Sequence, residues 1–127
     1  MSEPRWLLEQ TIIAVHSVVL EEHGGALGIW DEDMLHSALN RPIDKYAYDS
    51  DATIFQLAAA YSFGLAKNHP FIDGNKRVAF LAGTLFLELN GYGFTAEESD
   101  AAFVFEKLAA GKIKEDDLAI WLEQNTT

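Results

Sequence analysis

Two stretches of the chain are apolar on nearly every side. From Ala52 to about Lys67, the residues Ile54, Phe55, Leu57, Ala58, Ala59, Ala60, Tyr61, Phe63 and Leu65 leave no polar face, and the same holds from Val78 to Leu89. Helices apolar all round are interior ones, so the pattern predicts a central buried pair over roughly 52–67 and 75–90. Around it the pattern is amphipathic. Leu8, Ile12, Val15 and Val19 make a stripe at helical spacing. That predicts a helix from Ser2-Glu3-Pro4, where proline suits the first helical position, to about Glu22, closed by His23-Gly24-Gly25. Asp31 caps a short helix through about Leu39, which Asn40-Arg41-Pro42 stops. Thr95-x-x-Glu98 reads as a capping box opening a helix to about Ala110, ended by Gly111. Glu115-Asp116-Asp117 open a last helix over 115–124, with Leu118 and Trp121 on one face. The tail Asn125-Thr126-Thr127 is expected to fray. The fold class is therefore all-α: a single-domain bundle of about six helices over 1–127, built around two buried ones.

Two connections break this rhythm. Residues 24–30 are glycine-rich but hold no basic residue, so they read as a turn and not as a phosphate loop. Residues 41–51 have no helical period, and Lys45-Tyr46-Ala47-Tyr48 alternates in strand fashion, which reads as a surface loop with aromatics packed down.

Composition narrows the setting. At 127 residues the chain can bury one core without cross-links. It has no cysteine, which excludes disulfides and thiolate metal sites and suits a reducing cytoplasm. Glu3, Arg5 and Glu9 near the start do not read as a secretory signal. The longest apolar run, Val78 to Leu87, is half a membrane span, so no membrane role is expected. Nine Lys and Arg face twenty Asp and Glu, a net charge of −11. A nucleic-acid binder needs a basic face, so direct nucleic-acid binding is not expected. Three of the nine cations, Lys67, Lys76 and Arg77, lie within or beside one turn, which suits a single nucleotide and not a polymer.

That turn is His69-Pro70-Phe71-Ile72-Asp73-Gly74-Asn75-Lys76-Arg77, and it joins the two apolar helices. Lys76 and Arg77 fall in the first turn of the second helix, where the helix dipole prefers acids. An external anion completes the arrangement. Backbone N–H groups at a helix start, Gly74 for close approach and two cations make a phosphate site. His69 is the candidate general base for an attacking hydroxyl. Asp73 has two readings that do not exclude each other, a helix cap and a Mg²⁺ ligand, since nucleotide-borne Mg²⁺ takes only one or two protein carboxylates. Gly74 and Asn75 offer backbone N–H groups, and Asn75 its side-chain amide, to phosphate oxygens. Lys76 adds a point charge and Arg77 a planar fork. Phe71 anchors the turn in the core. His16, on the first helix without convergent neighbours, reads as structural or solvated.

The turn resembles the signature of the Fic/Doc family, His-x-Phe-x-Asp/Glu-x-Asn-x-Arg, at every fixed position. A chance match including Lys76 is on the order of one in a million for a chain this long. Lys76, where the adenylyl-transferring branch has glycine, and Phe80, where it has a second arginine, are similar to the Doc branch, the "death on curing" toxins. Gly24-Gly25 before an Asp-capped helix ending in Arg-Pro also resembles that branch. The resemblance implies a compact helical fold and a protein kinase that uses ATP and Mg²⁺. It further implies a Ser or Thr hydroxyl of elongation factor Tu as target, and a cognate antitoxin whose disordered tail folds on binding. It also implies that 41–51, with Lys45, Tyr46 and Tyr48, is a flap docking the target as an added strand. Two other readings stay open: an adenylyltransferase with the opposite nucleotide pose, and a non-catalytic nucleotide- or protein-binding module.

Overall fold

The two apolar stretches become α3 (Ile54–Asn68) and α4 (Asn75–Leu89), and the rest of the chain is arranged on them. The structure is a computed structural model describing residues 3–127. The Ser2 part of the expected first helix start therefore lies outside the described residues. The other helices are α1 (Glu9–His23), α2 (Glu32–Tyr48), α5 (Glu98–Ala109) and α6 (Glu115–Gln124). Among the described residues the only strand-like pairings are two isolated antiparallel bridges. Among the described residues the fold is all-α with six helices.

α3 is the hub, packing on α4, α2 and α6. Its small residues explain this. A Cβ on Gly83 of α4 would lie 2.2 Å from Ser62 Oγ, and one on Gly64 would lie 3.3 Å from Ala38 Cα of α2. Helices this close exclude water and gain dispersion contact along their length. Ser62 keeps its hydroxyl satisfied by donating to the Ala79 carbonyl at 2.7 Å. Leu57, Leu65, Val78, Phe86 and Leu87 are buried in this seam, each contributing roughly 1.5–3 kcal/mol. A capping box opens α3: Thr53 Oγ1 accepts from Gln56 N–H at 3.1 Å and Gln56 Oε1 from Thr53 N–H at 2.8 Å.

Three sequence expectations need correction. The first helix starts at Glu9, not at Ser2-Glu3-Pro4. Instead Trp6 stacks on Phe86, and Leu7 donates its N–H to the Tyr61 hydroxyl at 3.0 Å. Those long-range contacts hold the segment off the helix axis. Second, the second helix does not stop at Leu39. It runs through Pro42 to Tyr48, so the loop expected over 41–51 is helix as far as Tyr48. Pro42 is buried against the core. Arg41 Nε and Lys45 Nζ both reach Glu115 of α6, each at 2.9 Å, and Tyr46 meets Trp6 edge-on at 5.8 Å. This tertiary anchoring offsets the ~3 kcal/mol cost of a helical proline. Third, the Thr95–Glu98 capping box does not form. Thr95 instead gives both its N–H and its hydroxyl to Asn125 O, and Gly93 pairs with Thr127. The tail is thereby tied down and does not fray. The last helix has its expected bounds.

Candidate functional site

The site lies where α3 ends and α4 begins. His69 caps α3 in the left-handed region, φ 52°, the one non-glycine positive φ among the described residues. Such a conformation costs on the order of 1–3 kcal/mol and persists only where the surroundings enforce it. Asn75 does so. Its Oδ1 accepts from the Phe71 N–H at 2.9 Å, and its Nδ2 donates to the Phe71 carbonyl at 2.8 Å and to His69 Nδ1 at 3.1 Å. Both amide hydrogens are thus committed inside the turn. This corrects the expectation that the Asn75 side chain binds phosphate: it braces the turn, and only its backbone N–H remains for a ligand. The contact also sets the ring. With Nδ1 accepting, the neutral imidazole carries its proton on Nε2, so base action at Nε2 requires the ring to leave Asn75 first.

Two further groups hold the turn, and sequence reasoning gave neither a link to it. His16 is buried, stacks on Phe71 at 3.9 Å, and donates from Nε2 to the Asp73 carbonyl at 2.9 Å. The segment 24–31, read as a plain turn, is a strap across the motif. Trp30 and Asp31 donate to the Pro70 carbonyl at 2.7 and 3.1 Å, Ile72 donates to the Gly28 carbonyl at 3.1 Å, and Ala26 N–H reaches Asp73 Oδ2 at 2.7 Å. Gly25, at φ +121°, comes so close that a Cβ there would sit 3.1 Å from Asp73 Cβ. Three glycines within five residues are the sequence sign of such close backbone approach.

The backbone N–H groups of Gly74, Asn75, Lys76 and Arg77 have no acceptor among the described residues, as a helix start demands. Gly74 holds φ +83°. The same four residues line a cavity of about 300 Å³ together with His69 and Asp73. Arg77 is exposed and has no side-chain partner among the described residues, whereas Lys76 pairs with Glu106 of α5. Ala26 takes Asp73 Oδ2, and among the described residues nothing bonds to the other carboxylate oxygen. Among the described residues no three His, Cys, Asp or Glu side chains gather as a metal group. A single carboxylate would be enough for a Mg²⁺ carried by phosphate oxygens, and Asp73 is the residue here that could supply it.

His69 also borders a second cavity, about 350 Å³, lined by Trp30, Asp31, Met34 and Asn68. The imidazole therefore stands between two openings. The proposed docking residues do not join either. Lys45 is held by Glu115, Tyr46 is half-buried against Trp6, and Tyr48 is 95% exposed on helix, not on a strand.

The elements that carry this geometry, α1 to α4, are also where the chain matches a family model. Residues 6–87 match the model of the Fic/DOC family, and the chain belongs to that family. It is 31% identical over 87 residues to a protein named "Protein kinase doc" from Escherichia phage P1, covering 68% of this chain and 69% of that one. It is 39% identical over 75 residues to a protein named "Toxin Doc" from Mycolicibacterium smegmatis, covering 58% of each.

Proposed function

We propose that this protein is the toxin of a toxin–antitoxin pair, a protein kinase that moves the γ-phosphate of ATP to a Ser or Thr hydroxyl of a translation factor, with elongation factor Tu as the target. One observation carries the reading: His69 stands between an anion cradle and a separate opening. ATP lies in the cradle, with its phosphates on the Gly74–Arg77 N–H groups and on the Lys76 and Arg77 side chains. Mg²⁺ bound to Asp73 would neutralise phosphate charge. The acceptor hydroxyl enters from the Trp30 and Met34 side. His69 then turns from Asn75 and takes the hydroxyl proton, the oxygen bonds to the γ-phosphorus, and ADP leaves. Phosphoryl transfer asks mainly for such positioning and charge neutralisation. Elongation factor Tu comes from the resemblance alone; among the described residues no helix is long and apolar enough to cross a membrane.

The strap 24–31 takes over the docking role first given to Lys45, Tyr46 and Tyr48. Leu27 and Trp30 on it are 73% and 75% exposed, and Trp30 lines the second cavity. The antitoxin tail folds as a helix into an apolar groove between α1 and α4, lined by Ala14, Val15, Val18, Leu81 and Leu85. That groove runs up α1 toward Val19 and His23, which border the phosphate cavity.

The alternative is adenylyl transfer, with the α-phosphate at His69. Lys76 adds bulk and a hydrated charge where that pose needs open backbone, and Phe80 cannot hold outer phosphates. The deciding measurement is the intact mass of elongation factor Tu after incubation with ATP and Mg²⁺. A gain of one phosphate is expected, and a gain of AMP would overturn the kinase reading. Lys76→Gly should lower phosphoryl transfer.

A further inference from the structure

Lys76 and Arg77 border not one cavity but two. On the side away from His69 they open into a slot of about 370 Å³ between α4 and α5. Its lining differs from that of the cradle. Phe80 and Phe94 are half-buried and Phe105 is buried. The Phe80 ring stands edge-on to Phe94 at 5.7 Å and to Phe105 at 5.0 Å. Small residues, Ala101 and Ala102, form the α5 wall, and two carboxylates, Glu98 and Glu106, stand on the lining. Aromatic walls with a few polar groups are what a flat heterocycle needs. Carboxylates repel phosphate but accept hydrogen bonds from ribose hydroxyls, as acidic residues do in dinucleotide sites.

We propose that this α4–α5 slot seats the nucleoside of the triphosphate, with the base against Phe80, Phe94 and Phe105 and the ribose hydroxyls at Glu98. The inference rests on the cradle being a phosphate site, and it adds a direction. Base, ribose, Lys76–Arg77, Gly74 and His69 follow one another from one cavity to the next. The α-phosphate then lies at the cations that the two cavities share. The γ-phosphate, farthest from the nucleoside, reaches His69, which borders the cradle but not the slot. When ATP enters, Lys76 exchanges the exposed Glu106 carboxylate for phosphate, and such a surface pair holds it only weakly.

The test separates nucleoside from phosphate. Calorimetric titrations with Mg²⁺-ATP and with Mg²⁺-tripolyphosphate are compared for the native chain and for Ala102→Trp, whose side chain fills the slot from an exposed position on α5. ATP is expected to bind at least tenfold more tightly than tripolyphosphate to the native chain. Ala102→Trp should weaken ATP by tenfold or more and leave tripolyphosphate unchanged. Glu98→Gln, a milder change, should weaken ATP a few-fold and leave 2′,3′-dideoxy-ATP unchanged. If both variants bind ATP as the native chain does, the slot is not the nucleoside seat, although the cradle stands. If tripolyphosphate and ATP both fail to bind the native chain, the cradle reading falls and takes this inference with it.

Discussion

Two segments of this chain look alike in sequence and end differently. Arg41-Pro42 with Lys45, and Pro70 with Lys76-Arg77, each set a proline beside two cations near a helix end. In the first, Glu115, itself only 13% exposed, takes both Arg41 and Lys45, and the helix continues. In the second, Arg77 has no side-chain partner among the described residues, Lys76 has only an exposed one, and four cavity-lining residues have backbone N–H groups without an acceptor among the described residues. Satisfied cations hold a fold together. Unsatisfied cations at a helix start oppose the dipole, and the proposed phosphate site gives them a partner.

The strongest way to break that contrast is at His69, the one titratable side chain bordering both the cradle and the Trp30–Met34 cavity. His69→Ala should lower phosphoryl transfer by roughly 10² to 10⁴-fold, the usual range for a lost general base, and abolish growth arrest. The ring is exposed, so the thermal transition should hardly move. A fully toxic variant with native transfer rates would remove His69 from the chemistry.

Next comes a matched pair. Arg77→Ala should weaken Mg²⁺-ATP binding by about 10- to 100-fold, the range for lost charge-assisted hydrogen bonds, with little change in melting temperature. Glu115→Ala should do the reverse. It strands Arg41 and Lys45 beside a helical proline, for a loss of roughly 1 kcal/mol, with ATP binding intact. Calorimetry for affinity and urea denaturation for stability read both variants. If Glu115→Ala weakened ATP and Arg77→Ala melted early, the division between structural and ligand-directed cations would be wrong.

This pair also shows what could be read from the chain and what could not. The bounds of α6 were legible because Glu115, Asp116 and Asp117 mark its start locally. The continuation of α2 was not, because its compensating partner lies 74 residues away. The Thr95 box satisfied a local rule and lost to Asn125, 30 residues off. That His69, Asp73, Gly74, Lys76 and Arg77 lie together around one cavity was legible because residue type and spacing already define a helix start with cations. The bracing of Asn75 was hidden, since an amide has the same hydrogen-bonding capacity whether it faces phosphate or Phe71. His16 was hidden for the other reason: its partner is 57 residues distant.

A smaller effect tests the anchored region by pH. Tyr61 is fully buried, packs on Phe86 at 5.0 Å and accepts from the Leu7 N–H, in the cluster where Trp6 meets Tyr46. Burial pushes its hydroxyl up to about 12, against a small opposing pull from the Leu7 N–H. The folded state therefore keeps a proton that the unfolded chain releases near pH 10. The stability tied to this group is complete below pH 10 and drains as pH rises toward 12, at about 1.4 kcal/mol per pH unit. Tyr61→Phe should start less stable, because Leu7 loses its acceptor, but should show a shallower alkaline decline. Parallel decline of both chains between pH 10 and 12 would place the alkaline loss elsewhere.

The smallest expected effect sits on the border between the two kinds of cation. Lys76 is the one motif cation with a protein partner, and that partner, Glu106, is on the exposed face of α5. Exposed pairs contribute little to stability, so Glu106→Gln should leave the urea midpoint unchanged within error. Its consequence is for the ligand. A free Lys76 no longer has to leave a carboxylate to meet phosphate, and one negative charge is gone from beside the cradle. Binding of Mg²⁺-tripolyphosphate should therefore tighten by about two- to fivefold, the span of a weak surface pair. The gain should shrink at high salt, where such charges are screened. Tripolyphosphate is the right probe because it lacks the ribose, so any role of Glu106 in the α4–α5 slot does not enter. Unchanged or weaker binding would mean that Glu106 positions Lys76 for phosphate instead of competing with it, and Lys76 would then belong with Arg41 and Lys45 among the structural cations.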